Sequence, residues 1–162
     1  MGHAFPRVQC SRALRGRGDS VREGASSADR SFTPHMSLDP RALAVRIAEA
    51  AWDKKAVDLR VLDVHSLVQI TDYFVICSGN SDRQVIAIAD SIEEKLRKIG
   101  HRPLAVEGRQ WGRWICMDYN DVVVHIFYQE VRELYDLESL WAEAPVLDVQ
   151  DPAAGLQEGG PH

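Results

Sequence analysis

Hydrophobic positions recur with helical spacing in two stretches, and each stretch follows a helix-capping residue. The first begins at Asp39-Pro40, an N-cap side chain followed by proline at the first helical position, and continues to about residue 55. The second begins at Ser81, where Ser81 and Gln84 have the form of a capping box, and its apolar face continues to residue 99. These patterns predict two helices.

Short apolar runs predict strands around the second helix. Val57–Val61 alternates apolar and polar residues, which is typical of a half-exposed strand, whereas Tyr73–Cys77 is apolar throughout, which is typical of a central strand. Leu104–Val106 follows the second helix. Arg113–Asp118 and Val122–Phe127 then form a predicted hairpin around a tight turn.

The chain after the hairpin predicts one further helix over about residues 130–141. Its inward-facing residues are predicted to be Leu134, Leu137, Leu140 and Trp141. The resulting order, αββαβββα, predicts an α/β (α+β) fold with a mixed sheet of about five strands and helices packed on it.

Composition divides the chain into a folded centre and two tails. Residues 1–36 are rich in Arg and show no apolar period, so they are predicted to be a disordered extension. Residues 37–144 are predicted to form the folded domain. Residues 145–162 are rich in Pro, Gly and Ala and are predicted to be a disordered tail.

Charge narrows the classes of partner. The net charge is −5, but residues 1–35 hold six Arg against three acidic residues, so the remaining residues carry −8. An acidic domain repels phosphate backbones and favours a basic protein, so no specific nucleic-acid partner is expected. No apolar run approaches the roughly 20 residues that a membrane helix needs, and no membrane partner is expected either.

One turn resembles part of an enzyme fold, but the chain lacks the metal-binding carboxylates of that enzyme class. The turn Ser78–Ser81 between a strand and a helix resembles the opening of the nucleotidyltransferase fold, whose enzymes need carboxylates on the following strands to hold metal ions. Here no acid precedes Glu107 on the next strand, and Asp118 and Asp121 flank a turn. The sequence therefore predicts a related fold without catalytic carboxylates, catalytic residues, metal ligands or cofactor.

Two residues, His125 and Trp114, could have either a functional or a structural role. His125 lies within an apolar strand without a partner at catalytic spacing, so it is predicted to be half-buried with one hydrogen bond. Trp114 shares a strand face with Asp118, which suggests a wet face where the indole would be a binding anchor. A helix that covers this face would instead make Trp114 a core residue, and the pattern leaves both interpretations open.

Motifs along most of residues 38–141 resemble the ribosomal silencing factor family, also called the iojap family. The matching residues are Thr71-Asp72-Tyr73-Phe74-Val75-Ile76, Ser78-Gly79-Asn80-Ser81, Ala87-Ile88-Ala89-Asp90, Glu107-Gly108, Trp114, Asp118-Tyr119, Asp121-Val122-Val123-Val124-His125, Arg132, Tyr135, Leu137-Glu138 and Leu140-Trp141. Asn120 stands at a turn position where the family often has Gly, which Asn tolerates because it accepts a left-handed backbone.

The resemblance implies a translational repressor and not an enzyme. Members of the family bind the fourteenth large-subunit ribosomal protein and block the association of the ribosomal subunits, which lowers translation when nutrients are scarce. Members occur in bacteria and in organelles, where they also take part in biogenesis of the large subunit, and members are often homodimers when free. We infer that the partner-binding anchor is Trp114, with Asp118, Tyr119 and Asp121 as its polar surround.

The sequence also suggests where the protein is located and two alternative functions. The N-terminal segment faintly resembles an organelle transit peptide, but an upstream extension of a cytoplasmic bacterial protein is the preferred interpretation. The first alternative function is a nucleotidyltransferase-like enzyme with Glu107, Asp118 and Asp121 as atypical metal ligands, and such an enzyme would bind ATP with magnesium. The second alternative is a dimeric interaction scaffold, whose dimer would be detected by light scattering.

Overall fold

The two long helices begin where their capping residues predict. The structure is a computed structural model that describes residues 38–152. Helix α1 spans Pro40–Trp52, and the Asp39 carboxylate accepts a hydrogen bond from the Ala42 N–H at 3.0 Å. Helix α2 spans Asp82–Lys98, and the Ser81 hydroxyl accepts from the Gln84 N–H at 3.0 Å. Both predicted helix starts are confirmed.

A mixed sheet forms the centre of the fold. Its strands lie in the order β3-β4-β5-β2-β1-β6, in which β2 and β5 are parallel and every other neighbouring pair is antiparallel. The strands are β1 Val57–Asp63, β2 Tyr73–Gly79, β3 Ala105–Glu107, β4 Trp114–Asp118, β5 Val122–Tyr128 and β6 Val146–Leu147. The predicted α+β class and the mixed sheet are confirmed, with one strand more than expected.

The additional strand comes from the stretch that was predicted to be a loose tail. Val146 and Leu147 pair with Leu62 and Val61 of β1, and the Pro145 carbonyl accepts a hydrogen bond from the Asp63 N–H at 2.9 Å. A two-residue strand leaves almost no hydrophobic period in a sequence, and its position is fixed by the edge of β1. The remaining tail, residues 153–162, and the predicted extension, residues 1–36, lie outside the described residues.

The sheet carries one hydrophobic layer on each face. On one face α1 and α2 pack over side chains such as Val75, Val124 and Ile126. The opposite face carries a smaller layer that is rich in aromatic residues, including Phe74, Trp114 and Phe127. Because both faces are covered, β2 is buried over nearly its whole length, which explains its unbroken apolar sequence.

The last predicted helix is divided in two. Helix α3 spans Gln129–Tyr135 and helix α4 spans Leu137–Leu140, because Asp136 between them adopts a left-handed conformation (φ 45°, ψ 48°). The buried residues of the two helices differ in part from those predicted. Leu137 is buried and Trp141 is half-buried against the sheet, but Leu134 and Leu140 face solvent, so the prediction that they point inward is wrong.

A buried arginine fastens this helical pair to the sheet. The Arg132 guanidinium donates to both carboxylate oxygens of Glu138, at 3.2 and 2.9 Å. It also donates to the Ser78 hydroxyl at 2.8 Å and to the Asp58 carbonyl at 2.9 Å. Arg132 therefore ties α3 to α4 and to the ends of β1 and β2.

Candidate functional site

Trp114, the expected partner anchor, lies under helix α3. Its indole ring lies 4.6 Å from the ring of Tyr135 and 4.9 Å from that of Phe127, centroid to centroid, and only 4% of the residue is exposed. The interpretation of an exposed anchor on a wet face is wrong for this conformation, because a helix some twenty residues further along the chain covers that face. Contact between Trp114 and a partner would require α3 to move.

The polar residues predicted to surround Trp114 do not form one surface with it. Asp118 lies at the other end of β4, about 13 Å away at the usual rise of a strand, and accepts a hydrogen bond from the Asn120 N–H at 2.8 Å. Tyr119 packs into the opposite hydrophobic layer, where burial raises the pKa of its phenol. Asp121 is half-exposed at the turn. Partner binding by these residues stays a prediction.

His125 is completely buried, not half-buried as the sequence suggested. Its Nδ1 accepts a hydrogen bond from the Trp114 indole N–H at 3.2 Å, so the ring carries its proton on Nε2. Burial lowers the pKa of His125 to about 3, and the ring is neutral at physiological pH. The predicted single hydrogen bond is confirmed, and the histidine packs within the aromatic layer next to Phe74 and Phe127.

The carboxylates suggested as atypical metal ligands lie in two places. Glu107 and Asp118 are on the paired strands β3 and β4; burial and then the Asp118 charge raise the pKa of Glu107. Asp121 instead interacts with Asp72, whose pKa it helps to raise. Within residues 38–152, no group of three or more His, Cys, Asp or Glu residues is arranged to hold a metal ion.

Three aspartates meet at one end of the sheet, and we call Asp63, Asp72 and Asp121 the acidic rim. Asp63 ends β1, Asp72 precedes β2 and Asp121 precedes β5, and these three strands are neighbours. The Asp121 carbonyl accepts hydrogen bonds from the N–H groups of Asp72 and Tyr73, at 2.9 and 3.1 Å. With strands about 4.8 Å apart, the rim fits within roughly 10–12 Å.

Electrostatics within the rim show that the carboxylates affect one another. Burial raises the pKa of Asp72, and the negative charges of Asp121 and Asp63 raise it further. The side-chain hydrogen bond from His65, at 2.9 Å, lowers the pKa of Asp63, and the same bond raises the pKa of His65. The rim thus holds a concentration of negative charge that an additional cation would stabilise.

Sequence reasoning identified Asp121 but missed Asp63, Asp72 and His65 as parts of a site. A signal was present, because Asp72 and Asp121 each directly precede an apolar strand, and the first residues of parallel neighbours share a sheet edge. The signal becomes usable only once β2 and β5 are known to pair, and these strands are separated by some fifty residues.

The fold and this site define a class of protein. It is a small α+β domain with an acidic surplus. Residues 38–152 carry 13 Lys and Arg against 20 Asp and Glu, a net charge of −7. The three carboxylates of the acidic rim lie at one end of the sheet. Its buried histidine is neutral and packed in the core. Its charge is complementary to that of a basic partner. No helix among the described residues has the length and apolar character to cross a membrane.

The chain belongs to the ribosomal silencing factor family. The family model described as "Ribosomal silencing factor during starvation" matches residues 37–160. The chain is similar to the ribosomal silencing factor RsfS of Bacillus subtilis, at 43% identity over 106 residues, which cover 65% of this chain and 90% of the relative.

More distant relatives and a solved structure extend this result. The chain is 34% identical over 91 residues to the mouse "Mitochondrial assembly of ribosomal large subunit protein 1", covering 54% of this chain and 40% of that protein. A crystal structure of a Chromobacterium violaceum protein superimposes with a TM-score of 0.64 at 34% identity, covering 65% of this chain and 88% of that one. The similarity therefore extends from sequence to fold.

Proposed function

We propose that this protein binds the large ribosomal subunit through its fourteenth ribosomal protein and sterically blocks association with the small subunit. In this role it lowers translation when nutrients are limiting. Family membership supports the proposal, and the mouse relative is named for assembly of the large subunit. The mechanism is exclusion: a domain seated on the face where the subunits meet removes the docking surface, so the proposal requires no chemical step.

The observation that carries the proposal on this chain is the acidic rim. A ribosomal protein must carry Lys and Arg to bind RNA, and its remaining basic side chains suit a surface of opposite charge. The raised pKa of Asp72 reflects burial and repulsion from Asp121 and Asp63, and a partner cation would offset that repulsion. We therefore assign the contact to Asp63, Asp72 and Asp121.

Neutralising the rim tests the assignment. Asp63→Asn/Asp72→Asn/Asp121→Asn keeps the size of each side chain, and we expect binding to purified large subunits to weaken by at least tenfold, about 1.4 kcal/mol. The matched control is Glu49→Gln/Glu94→Gln/Asp148→Asn, which removes three exposed carboxylates elsewhere and should bind like the wild type. Co-sedimentation at several salt concentrations measures both, and circular dichroism checks that each variant is folded.

The outcomes separate the site from the function. If the rim variant and the control both bind like the wild type, the rim is not the contact surface. If the wild-type protein binds large subunits but leaves the formation of joined ribosomes unchanged in sucrose gradients, steric exclusion is wrong. If the wild type does not co-sediment with large subunits at all, the proposed partner is wrong.

A further inference from the structure

The α3–α4 pair presents two leucines to solvent. Leu134 and Leu140 are 65% and 64% exposed, and among the described residues only Leu104 and Val146 are large apolar side chains of comparable exposure. Leu134 lies in α3, and Leu140 ends α4 six positions further along the chain, with the left-handed Asp136 between the two helices. The short α3–α4 unit thus exposes two large apolar side chains, and exposed apolar surface rimmed by polar residues is a candidate contact for another protein.

This unit is held firmly in place. Arg132 binds Glu138, Ser78 and the Asp58 carbonyl from one side. On the inner side, Tyr135 lies against Trp114, and Trp141 lies 5.5 Å from Phe74. The leucines therefore extend from a preorganised surface, which lowers the entropy cost of binding to them.

The exposed charged side chains of residues 129–152 are all acidic. Glu130, Glu133, Asp136 and Glu143 are exposed, and residues 133–152 contain six acidic residues and no Lys or Arg. Three nearby cations already have contacts. Arg132 is buried against Glu138, Arg60 lies 3.4 Å from Asp58 and 3.8 Å from Glu138, and Arg113 lies 5.1 Å from the centre of the Tyr128 ring at the start of α3. The surface is apolar at two points and acidic around them.

From this arrangement we propose that the outer face of α3–α4 docks a cationic amphipathic helix of a second protein, distinct from the partner of the acidic rim. The leucines meet the apolar face of that helix, and the surrounding carboxylates meet its Lys and Arg residues. Like charge disfavours a nucleic acid or an anionic membrane, and light scattering tests for a second copy of this domain. The acidic rim and the start of α3 lie at opposite ends of β5, about 20 Å apart, so both surfaces can be occupied together.

A synthetic helix of leucine and lysine is the probe. The test peptide has about sixteen residues with Leu at positions i, i+3, i+4 and i+7, and the comparison peptide has the same composition in scrambled order. Fluorescence anisotropy with the full chain at physiological salt should show at least tenfold tighter binding of the ordered peptide. Leu134→Ser/Leu140→Ser should abolish this preference, whereas Leu104→Ser, an equally exposed leucine elsewhere, should retain it.

Four results would overturn the proposal. The first is equal binding of the ordered and scrambled peptides, and the second is unchanged binding by the folded double variant. The third is a wild-type dimer in light scattering that the double variant converts to a monomer, because a second copy would then be the occupant. The fourth is a tenfold gain in peptide affinity on deletion of residues 1–36, because the chain's own Arg-rich segment would then occupy the face. The large-subunit assay is independent of all four.

Discussion

Replacing Arg132 by Met is the sharpest test of how this fold is assembled. The substitution keeps much of the apolar stem but removes the charge and its hydrogen bonds to Glu138, Ser78 and the Asp58 carbonyl. Breaking a fully buried ion pair by removing one partner costs about 3–5 kcal/mol. Here water can reach the abandoned groups in part, because the side chains of Glu138 and Asp58 are 27% and 49% exposed.

We therefore expect a loss near the lower end of that range, about 3 kcal/mol in the free energy of unfolding, or roughly 10 °C in Tm for a domain of this size. Arg132→Lys keeps the charge but loses the two-pronged contact with Glu138, and it should cost less, about 1–2 kcal/mol. Arg102→Ala, at an exposed arginine, should stay within about 0.5 kcal/mol of the wild type.

Urea titration followed by far-ultraviolet circular dichroism measures all three variants. If Arg132→Met unfolds within 0.5 kcal/mol of the wild type, the guanidinium does not fasten the α3–α4 pair and the argument from its contacts is wrong. A loss as large for Arg102→Ala would show instead that the domain is sensitive to any loss of positive charge.

Three further predictions address the aromatic layer and the turns. Lowering the pH from 7 to 5 should destabilise the wild type by about 2 kcal/mol more than it destabilises His125→Gln. The reason is that the neutral buried ring, with a pKa of about 3, takes up its proton only on unfolding. Equal losses in parallel urea titrations would contradict this. Gly108→Ala should lower the free energy of unfolding by more than about 2 kcal/mol, since the added Cβ would lie 2.0 Å from the Trp114 carbonyl oxygen. Gly100→Ala, also at positive φ, should lower it by about 1 kcal/mol. Equal losses in thermal unfolding would contradict the steric argument. Asn120→Gly should leave stability within about 0.5 kcal/mol of the wild type because φ is already 74°, and a loss above 1 kcal/mol would show that the Asn side chain is needed.

The candidate site was predictable only in part. The acidity of the folded domain is a property of composition, so the expectation of a basic partner came directly from the sequence. The sequence did not predict which residues make the contact. Trp114 and Asp118 share a strand face by alternation, but alternation does not show which helix lies over that face.

The sequence by itself determined the beginnings of α1 and α2, because an N-cap contact joins residues three apart and needs no tertiary structure. It also indicated that β2 is a central strand, because an unbroken apolar run of this length is typical of a strand covered on both faces. Family membership likewise follows from motifs that can be read along the chain.

Tertiary structure alone decided the rest. The acidic rim exists because β2 and β5 pair in parallel, which brings Asp72 and Asp121 to one edge although some fifty residues separate them. Trp114 is buried because α3 returns over the sheet, and the single helix predicted for this region is divided because Asp136 adopts a left-handed backbone. In each case the deciding contact joins residues that are distant in sequence, or depends on packing that local spacing does not encode.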